Sequence, residues 1–227
     1  MSRWPLEWVS RRAPKRLTVS LDAHGIALHD GGGDALDHAT KSRTHDTAAL
    51  LSTLPSRTWV DVIVANDVAV HWLQNPPPGV RSLNELRDVA GARCAHLFGG
   101  APSHWHLAGD WSVTHAFVCA GLPLKHTAPL QKMLGATGAK VRWHTAFGWL
   151  CRSRAAGFPS DGWSAMRQAG RLVLWCCREG RVVTLATLAI HPEADTQNAL
   201  AAVAQQQRIE ALRDPKLQVG PVHWAAP

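Results

Sequence analysis

Between Gly162 and Ile190 the sequence runs GWSAMRQAGRLVLWCCREGRVVTLATLAI. Gly162–Arg167, Arg171–Cys177 and Arg181–Ile190 are runs dominated by apolar and β-branched residues and separated by short polar turns, which predicts three consecutive antiparallel strands with Glu179-Gly180 as the second turn. Thr196–Leu212 follows as a helix with a thin apolar stripe, and Leu217–Trp224 as a final strand. The order is strand, strand, strand, helix, strand.

A similar order is written upstream. Leu17-Thr-Val19-Ser-Leu21 alternates, Asp22-Ala-His-Gly25 turns, and Ile26-Ala-Leu28 returns as the second arm of a hairpin. Gly31-Gly-Gly33 makes a loop, and Asp46 or Thr47 can cap a short helix through Leu54 that Pro55 ends. Trp59–Val64 is apolar at nearly every position, as a strand covered on both faces of an α/β sheet would be. Val68–Leu73 is a further strand, stopped by Pro76-Pro-Pro78-Gly79.

Ser82-Leu-Asn-Glu85 then has the form of a capping box, in which Glu85 reaches back to the cap amide. Leu83, Leu86, Ala90, Cys94 and Leu97 recur on one helical face, and Gly99-Gly100 ends the helix. Trp105–Gly109 and Ser112–Ala120 read as a hairpin. Thr127–Leu134 reads as a helix with Leu130, Met133 and Leu134 inward, and Lys140–His144 as a strand. Two such successions predict duplicated mixed sheets with flanking helices, an α/β layered architecture. The division follows as a tail over 1–16, a first half with an inserted subdomain over 17–157, and a second, shorter half over 158–227.

With 46% hydrophobic and 18% charged residues, the 227-residue chain belongs with globular proteins rather than disordered ones. Its net charge of +7 is unevenly placed, because residues 1–16 hold Arg3, Arg11, Arg12, Lys15 and Arg16 against Glu7 alone. That tail also carries Trp4 and Trp8. Trp4, Trp8, Arg11 and Arg12 are therefore the candidate partner-binding residues, suited to a protein surface or to peripheral contact with a membrane face. Trp59, Trp72, Trp143 and Trp175 lie in apolar strands, where core packing accounts for them. Tail-driven nucleic-acid binding is a further reading, but basic residues outside the tail are dispersed and no recognition motif is present, so no specific nucleic acid is expected.

Five cysteines without C-x-x-C spacing argue against a zinc ribbon and fit buried thiols in a reducing, cytoplasmic setting. No run approaches the roughly 18 apolar residues of a spanning helix. G-x-x-x-x-G-K-[ST] and G-x-S-x-G are both absent. The segment His29–His38 holds five candidate ligands on a glycine-rich turn, and His104-Trp-His106 puts two imidazoles on one face of a strand. Neither fixes a ligand geometry, and no metal or other cofactor is expected. Thirteen His and five Cys leave a Cys–His pair open. Arg142-Trp143-His144 and Arg152-Ser-Arg154 read as solvated surface.

The opening hairpin Arg16–Leu28, the strands of Trp59–Leu73 running into Pro76–Gly79, the capped helix Ser82–Phe98 and the restart at Gly162-Trp163 together resemble the actin-like (ribonuclease H-like) fold of bacterial assembly scaffolds. The chain is similar to the cytoplasmic domains of type II secretion L-type proteins and to the M-type proteins of type IV pilus assembly. The resemblance implies a structural adaptor linking an assembly or secretion ATPase to inner-membrane platform proteins, located in the cytoplasm and peripheral to the inner membrane.

Nucleotide-hydrolysing members of the fold carry an Asp-x-Gly loop in each half. Here the first offers Asp22-Ala23-His24-Gly25, with glycine one residue late, and the second is read at Cys177-Arg178-Glu179-Gly180. The departures predict a protein that does not hydrolyse ATP. The competing reading is a nucleotide-binding switch or enzyme that uses Asp22 and Gly25.

Overall fold

The computed structural model of the protein describes residues 16–29, 58–153, 159–168, 170–191 and 193–225. Trp4, Trp8, Arg11, Arg12, the Gly31–Gly33 loop, the helix expected before Pro55, Asp30–His38 and Arg154 lie outside the described residues. Strand β1 (Arg16–Asp22) and β2 (Gly25–His29) form the opening hairpin, and β3 (Trp59–Val64) lies parallel to β1 on its other side, with Val19 beside Val62. The chain then departs through β4 (Val70–Gln74), α1 (Leu83–Phe98), a 3-10 turn at Pro102–His104, β5 (Trp105–Gly109), β6 (Phe117–Pro123) and α2 (Leu124–Ala136). It returns as β7 (Lys140–Thr145), parallel to β3, and continues into α3 (Ala146–Ser153). The first sheet thus has the order β2-β1-β3-β7, and the excursion forms a separate antiparallel sheet, β4-β6-β5.

The second sheet repeats the plan of the first. Strands β8 (Gly162–Gln168), β9 (Arg171–Arg178) and β10 (Arg181–Ala189) are consecutive and antiparallel; α4 (Thr196–Arg213) crosses over, and β11 (Val222–Ala225) pairs in parallel with β8. In both sheets the first strand is central, its hairpin neighbour on one side and a parallel returning strand on the other. This topology makes β8 the counterpart of β1. The counterpart of the Asp22–Gly25 turn is therefore the β8–β9 turn at Gln168–Arg171, not the Cys177–Gly180 turn, which joins β9 to β10.

Each sheet is covered on both faces, for the reason visible in its strands. Val60, Val62 and Val64 of β3 point to Leu130 and Leu134 of α2, whereas Ile63 packs on the other face with Ala146, Phe147 and Leu150 of α3. In β9, Val173 and Trp175 join that same α3 cluster, while Leu172, Leu174 and Cys176 meet Val203 of α4. Helix α3 is thus shared between the two sheets. Helix α1 covers the third sheet through Leu86, Ala90 and Cys94 against Trp72, Phe117 and Cys119. Leu83 and Leu97, expected on that buried face, are both 44% exposed.

The differences in element ends share a physical cause, which is competition for the backbone. Ser112 Oγ accepts from the amides of Thr114 and His115, so the strand expected from Ser112 begins only at Phe117. Val68 and Ala69 donate to the Ala65 carbonyl in a turn, which delays β4 to Val70. The carbonyls of Gln218 and Gly220 accept from Trp163 Nε1 and Gln207 Nε2, and β11 is confined to Val222–Ala225. Glu85 Oε2 accepts from the Arg81 amide, one residue before the cap, while Ser82 Oγ accepts from the Glu85 amide as expected.

Candidate functional site at the convergence of three loops

Because β1 and β3 run parallel, their following loops emerge at the same end of the sheet. Asp22 closes β1, and its Oδ1 accepts from the His24 amide at 2.8 Å. Gly25 completes the turn at φ +143°, where a Cβ would have nothing within 4 Å; glycine serves the backbone angle here rather than a close approach. After β3, the amide of Ala65 still pairs with Leu21, and the chain then makes one tight turn that carries Asn66 and Asp67 over the hairpin. Asp67 Oδ2 accepts from the Ala23 amide at 3.0 Å. The Asn66 amide in turn donates to Gln168 Oε1, at the end of β8, at 3.2 Å. The two corresponding hairpins are thereby tied through a single loop.

This arrangement decides what the turn can accept. The amides of Ala23 and His24, which in an open nest would face an anion, are held by the carboxylates of Asp67 and Asp22. An entering phosphate would have to displace one carboxylate and approach another. The buried Asn66 side-chain oxygen and nitrogen and Asp67 Oδ1 have no hydrogen-bond partner, a condition that costs about 1–3 kcal/mol per atom. A ligand reaching this loop would find these three polar atoms available.

A second polar constellation lies on the α3 side of the first sheet. Asp61, 1% exposed in an otherwise apolar strand, meets His144 of β7, whose Nε2 stands 2.9 Å from Asp61 Oδ1. Arg152 Nη2 donates to His144 Nδ1. A guanidinium can only donate, so Nδ1 is the acceptor and the imidazole is neutral, with its proton on Nε2 toward Asp61. Burial holds the His144 pKa below its ordinary value, against the opposing hydrogen bond to Asp61, and the nearby Arg152 adds to the depression. His144 does not belong to the solvated surface expected for Arg142-Trp143-His144. Arg142 is exposed, but its guanidinium lies 4.2 Å from the centre of the Trp59 ring.

Asp22 and Gly25 are brought to one hairpin, with Asn66, Asp67 and Gln168 added by the fold. The added residues are separated by long stretches of sequence and carry no motif. Asp61 did carry a signal, since a carboxylate in a strand covered on both faces must find a partner. His104 sits in the 3-10 turn, its Nδ1 accepting from the Ala101 amide, so it does not share a strand face with His106. No group of three or more potential metal ligands occurs among the described residues. Burial raises the thiol pKa of Cys94 to about 11 and of Cys119 and Cys151 to about 12. Cys176 and Cys177 are raised as well, so these thiols stay protonated at neutral pH and are poor nucleophiles.

No protein-family profile matches the chain, and no curated protein sequence matches it. Solved structures do match. The cytoplasmic domain of EpsL, an inner-membrane component of the type II secretion system of Vibrio cholerae, superposes with a TM-score of 0.53 at 12% identity, covering 93% of this chain and 83% of that one. A PilM–PilN type IV pilus biogenesis complex gives 0.55 at 13% identity, covering 93% of this chain and 82% of that one. A Bacteroides thetaiotaomicron protein of unknown function with an actin-like ATPase fold gives 0.53 at 11% identity, covering 92% of this chain and 90% of that one. The chain has the actin-like fold.

Proposed function

We propose that this protein is a non-catalytic adaptor of a bacterial secretion or pilus assembly machine, linking cytoplasmic and inner-membrane components. The observation that carries the reading is the hairpin turn whose Ala23 and His24 amides are held by the protein's own carboxylates, in a fold similar to those of the EpsL cytoplasmic domain and the PilM–PilN complex structure. The β8–β9 turn, Gln168-Ala-Gly-Arg171, also lacks an acid that could hold a metal-bound water. The fold then serves as a rigid surface, and the tail over 1–16 with Trp4, Trp8, Arg11 and Arg12 docks on the partner or against the membrane face. The halves 17–157 and 158–227 act as one body in this reading. No helix among the described residues is long and apolar enough to cross a membrane. Peripheral attachment on the cytoplasmic side of the inner membrane supplies the location.

Co-purification tests this directly. The full chain should retain an assembly ATPase or an inner-membrane platform protein, and deletion of residues 1–16 should reduce that retention. Robust ATP turnover by the isolated chain would overturn the reading.

One observation favours a nucleotide-binding switch instead. The buried, unpartnered atoms of Asn66 and Asp67 stand beside the Asp22–Gly25 turn. ATP with Mg²⁺ should then raise the melting temperature, since a ligand selective for the folded state stabilises it by mass action. An unchanged melting curve at millimolar nucleotide excludes the switch.

A further inference from the structure

Three chain segments meet at one edge of the third sheet. Helix α1 ends in Phe98 and turns through Gly99 and Gly100, both at positive φ, and the 3-10 turn then leads into β5. Strand register sets Trp105, the first residue of β5, opposite Pro123, where β6 ends and α2 begins. Between these segments lies a surface pocket of about 480 Å³, lined by Phe98, Ser103, His104, Trp105, Leu124 and Lys125 together with the turn glycines. It has room for about sixteen waters, or for the end of a peptide.

Two aromatic rings form the apolar wall. Phe98 is 40% exposed at the end of α1, and its ring lies 6.2 Å from that of Trp105 at an angle of 54°. Trp105 is fixed in turn, because its Nε1 donates to the Gly99 carbonyl at 3.1 Å, so the indole has a ring surface to offer and no free N–H. Gly121 permits that placement, since a Cβ there would stand 3.2 Å from the ring.

The polar side chains favour an acceptor. The Ala101 amide can only donate, so His104 Nδ1 accepts and the proton of the neutral ring sits on Nε2, which is a donor. Lys125 is exposed and is the one lining residue of fixed charge; among the described residues no carboxylate lines the pocket to neutralise it. One uncompensated cation beside two rings matches a single negative charge on an aromatic body, because an anion gains a charge-assisted hydrogen bond there and a cation would be repelled. The mouth is open, as Phe98, Gly99, Gly100, Ser103, His104 and Lys125 are all exposed. Small-molecule sites enclose most of their ligand, whereas a chain end can seat its last side chain and leave through an open side.

We propose that this pocket docks the C-terminal residue of a partner peptide, an aromatic side chain with its free carboxylate. The ring lies against Phe98 and Trp105, and the carboxylate accepts from Lys125. The pocket shares no residue with the Asp22–Gly25 hairpin, and the assignment stands whether or not the chain serves as an adaptor.

Calorimetric titration of the full chain with acetyl-Gly-Ser-Gly-Phe, followed by heteronuclear NMR, tests the assignment. The peptide acid should bind, with shift changes centred on residues 98–105 and 124–125, and its C-terminal amide should bind about tenfold more weakly. Replacing the terminal Phe of the peptide by Gly should weaken binding at least as much. Lys125→Gln, at an exposed position, should abolish the preference for acid over amide while leaving the melting temperature unchanged, and Lys125→Arg should keep that preference. Failure of the acid to bind at millimolar concentration, equal binding of the amide, or an unaltered preference in Lys125→Gln would overturn the proposal. Phenylacetate binding as tightly as the peptide would mean that the pocket takes a free acid rather than a chain end, and would overturn it as well.

Discussion

His71 and His144 face the same physical problem and meet it differently. His144 keeps Asp61 company in the interior and receives Arg152 at its second nitrogen, so both nitrogens are used. His71 is enclosed without a polar partner, and burial alone moves its pKa from 6.5 to about 4. Above about pH 6.5 the ring is neutral whether the chain is folded or not, and titration adds no penalty. Below that value the unfolded chain takes up a proton that the folded protein refuses, so stability falls as pH drops and stops falling on this account near pH 4. The loss totals about 3 kcal/mol, because each factor of ten in proton affinity between the two states is worth ~1.4 kcal/mol. His144 acts in the same direction, since its folded pKa is also lowered. His71→Phe should therefore flatten the decline in urea midpoint between about pH 6.5 and pH 4. Parallel profiles for variant and parent would show that His71 is not the group that titrates.

At the scale of the element, helix α1 exposes how much its N-terminus depends on one hydroxyl. Ser82 Oγ accepts from the Glu85 amide, and Glu85 spends its carboxylate on Arg81 rather than on the cap itself. Ser82→Ala should cost about 1 kcal/mol and Ser82→Asp should recover most of it. For a chain of this length that corresponds to a melting shift of roughly 2–4 °C, readable by calorimetry. Equal losses in both variants would place the effect outside the cap. This helix, like β3 and the β8–β10 meander, was legible in the sequence because its signals are local: a cap, a period, a Glu179-Gly180 turn with both residues at positive φ. What escaped is what side chains from elsewhere take from the backbone, as Gln207 and Trp163 do ahead of β11. The candidate site was half legible for the same reason. Asp22 and Gly25 announce a turn, but Asp67 reaches it from 44 residues away and Gln168 reaches Asn66 from 102. No pattern in one sequence encodes such separations.

The whole molecule is joined by more than that loop. Leu150 of α3, 1% exposed, packs in one cluster with Ile63 of the first sheet and with Met166, Val173 and Trp175 of the second. Phe147 extends the same core to the third sheet through its edge contact with His71, and to the second through Trp175 at 5.1 Å. A helix shared in this way makes each sheet part of the other's interior, so neither can open without exposing apolar surface on both. Leu150→Ala should cost about 2–5 kcal/mol, combining lost burial with an imperfectly closed cavity. The penalty should fall on both sheets together. Native-state hydrogen exchange should show protection decreasing by a similar factor in β3 and in β9, because both belong to one cooperative unit. Loss confined to β9 would mean instead that the sheets unfold independently and that α3 belongs energetically to only one of them. Coincident loss would mean that the Asn66–Gln168 contact rides on a rigid core shared by the two sheets.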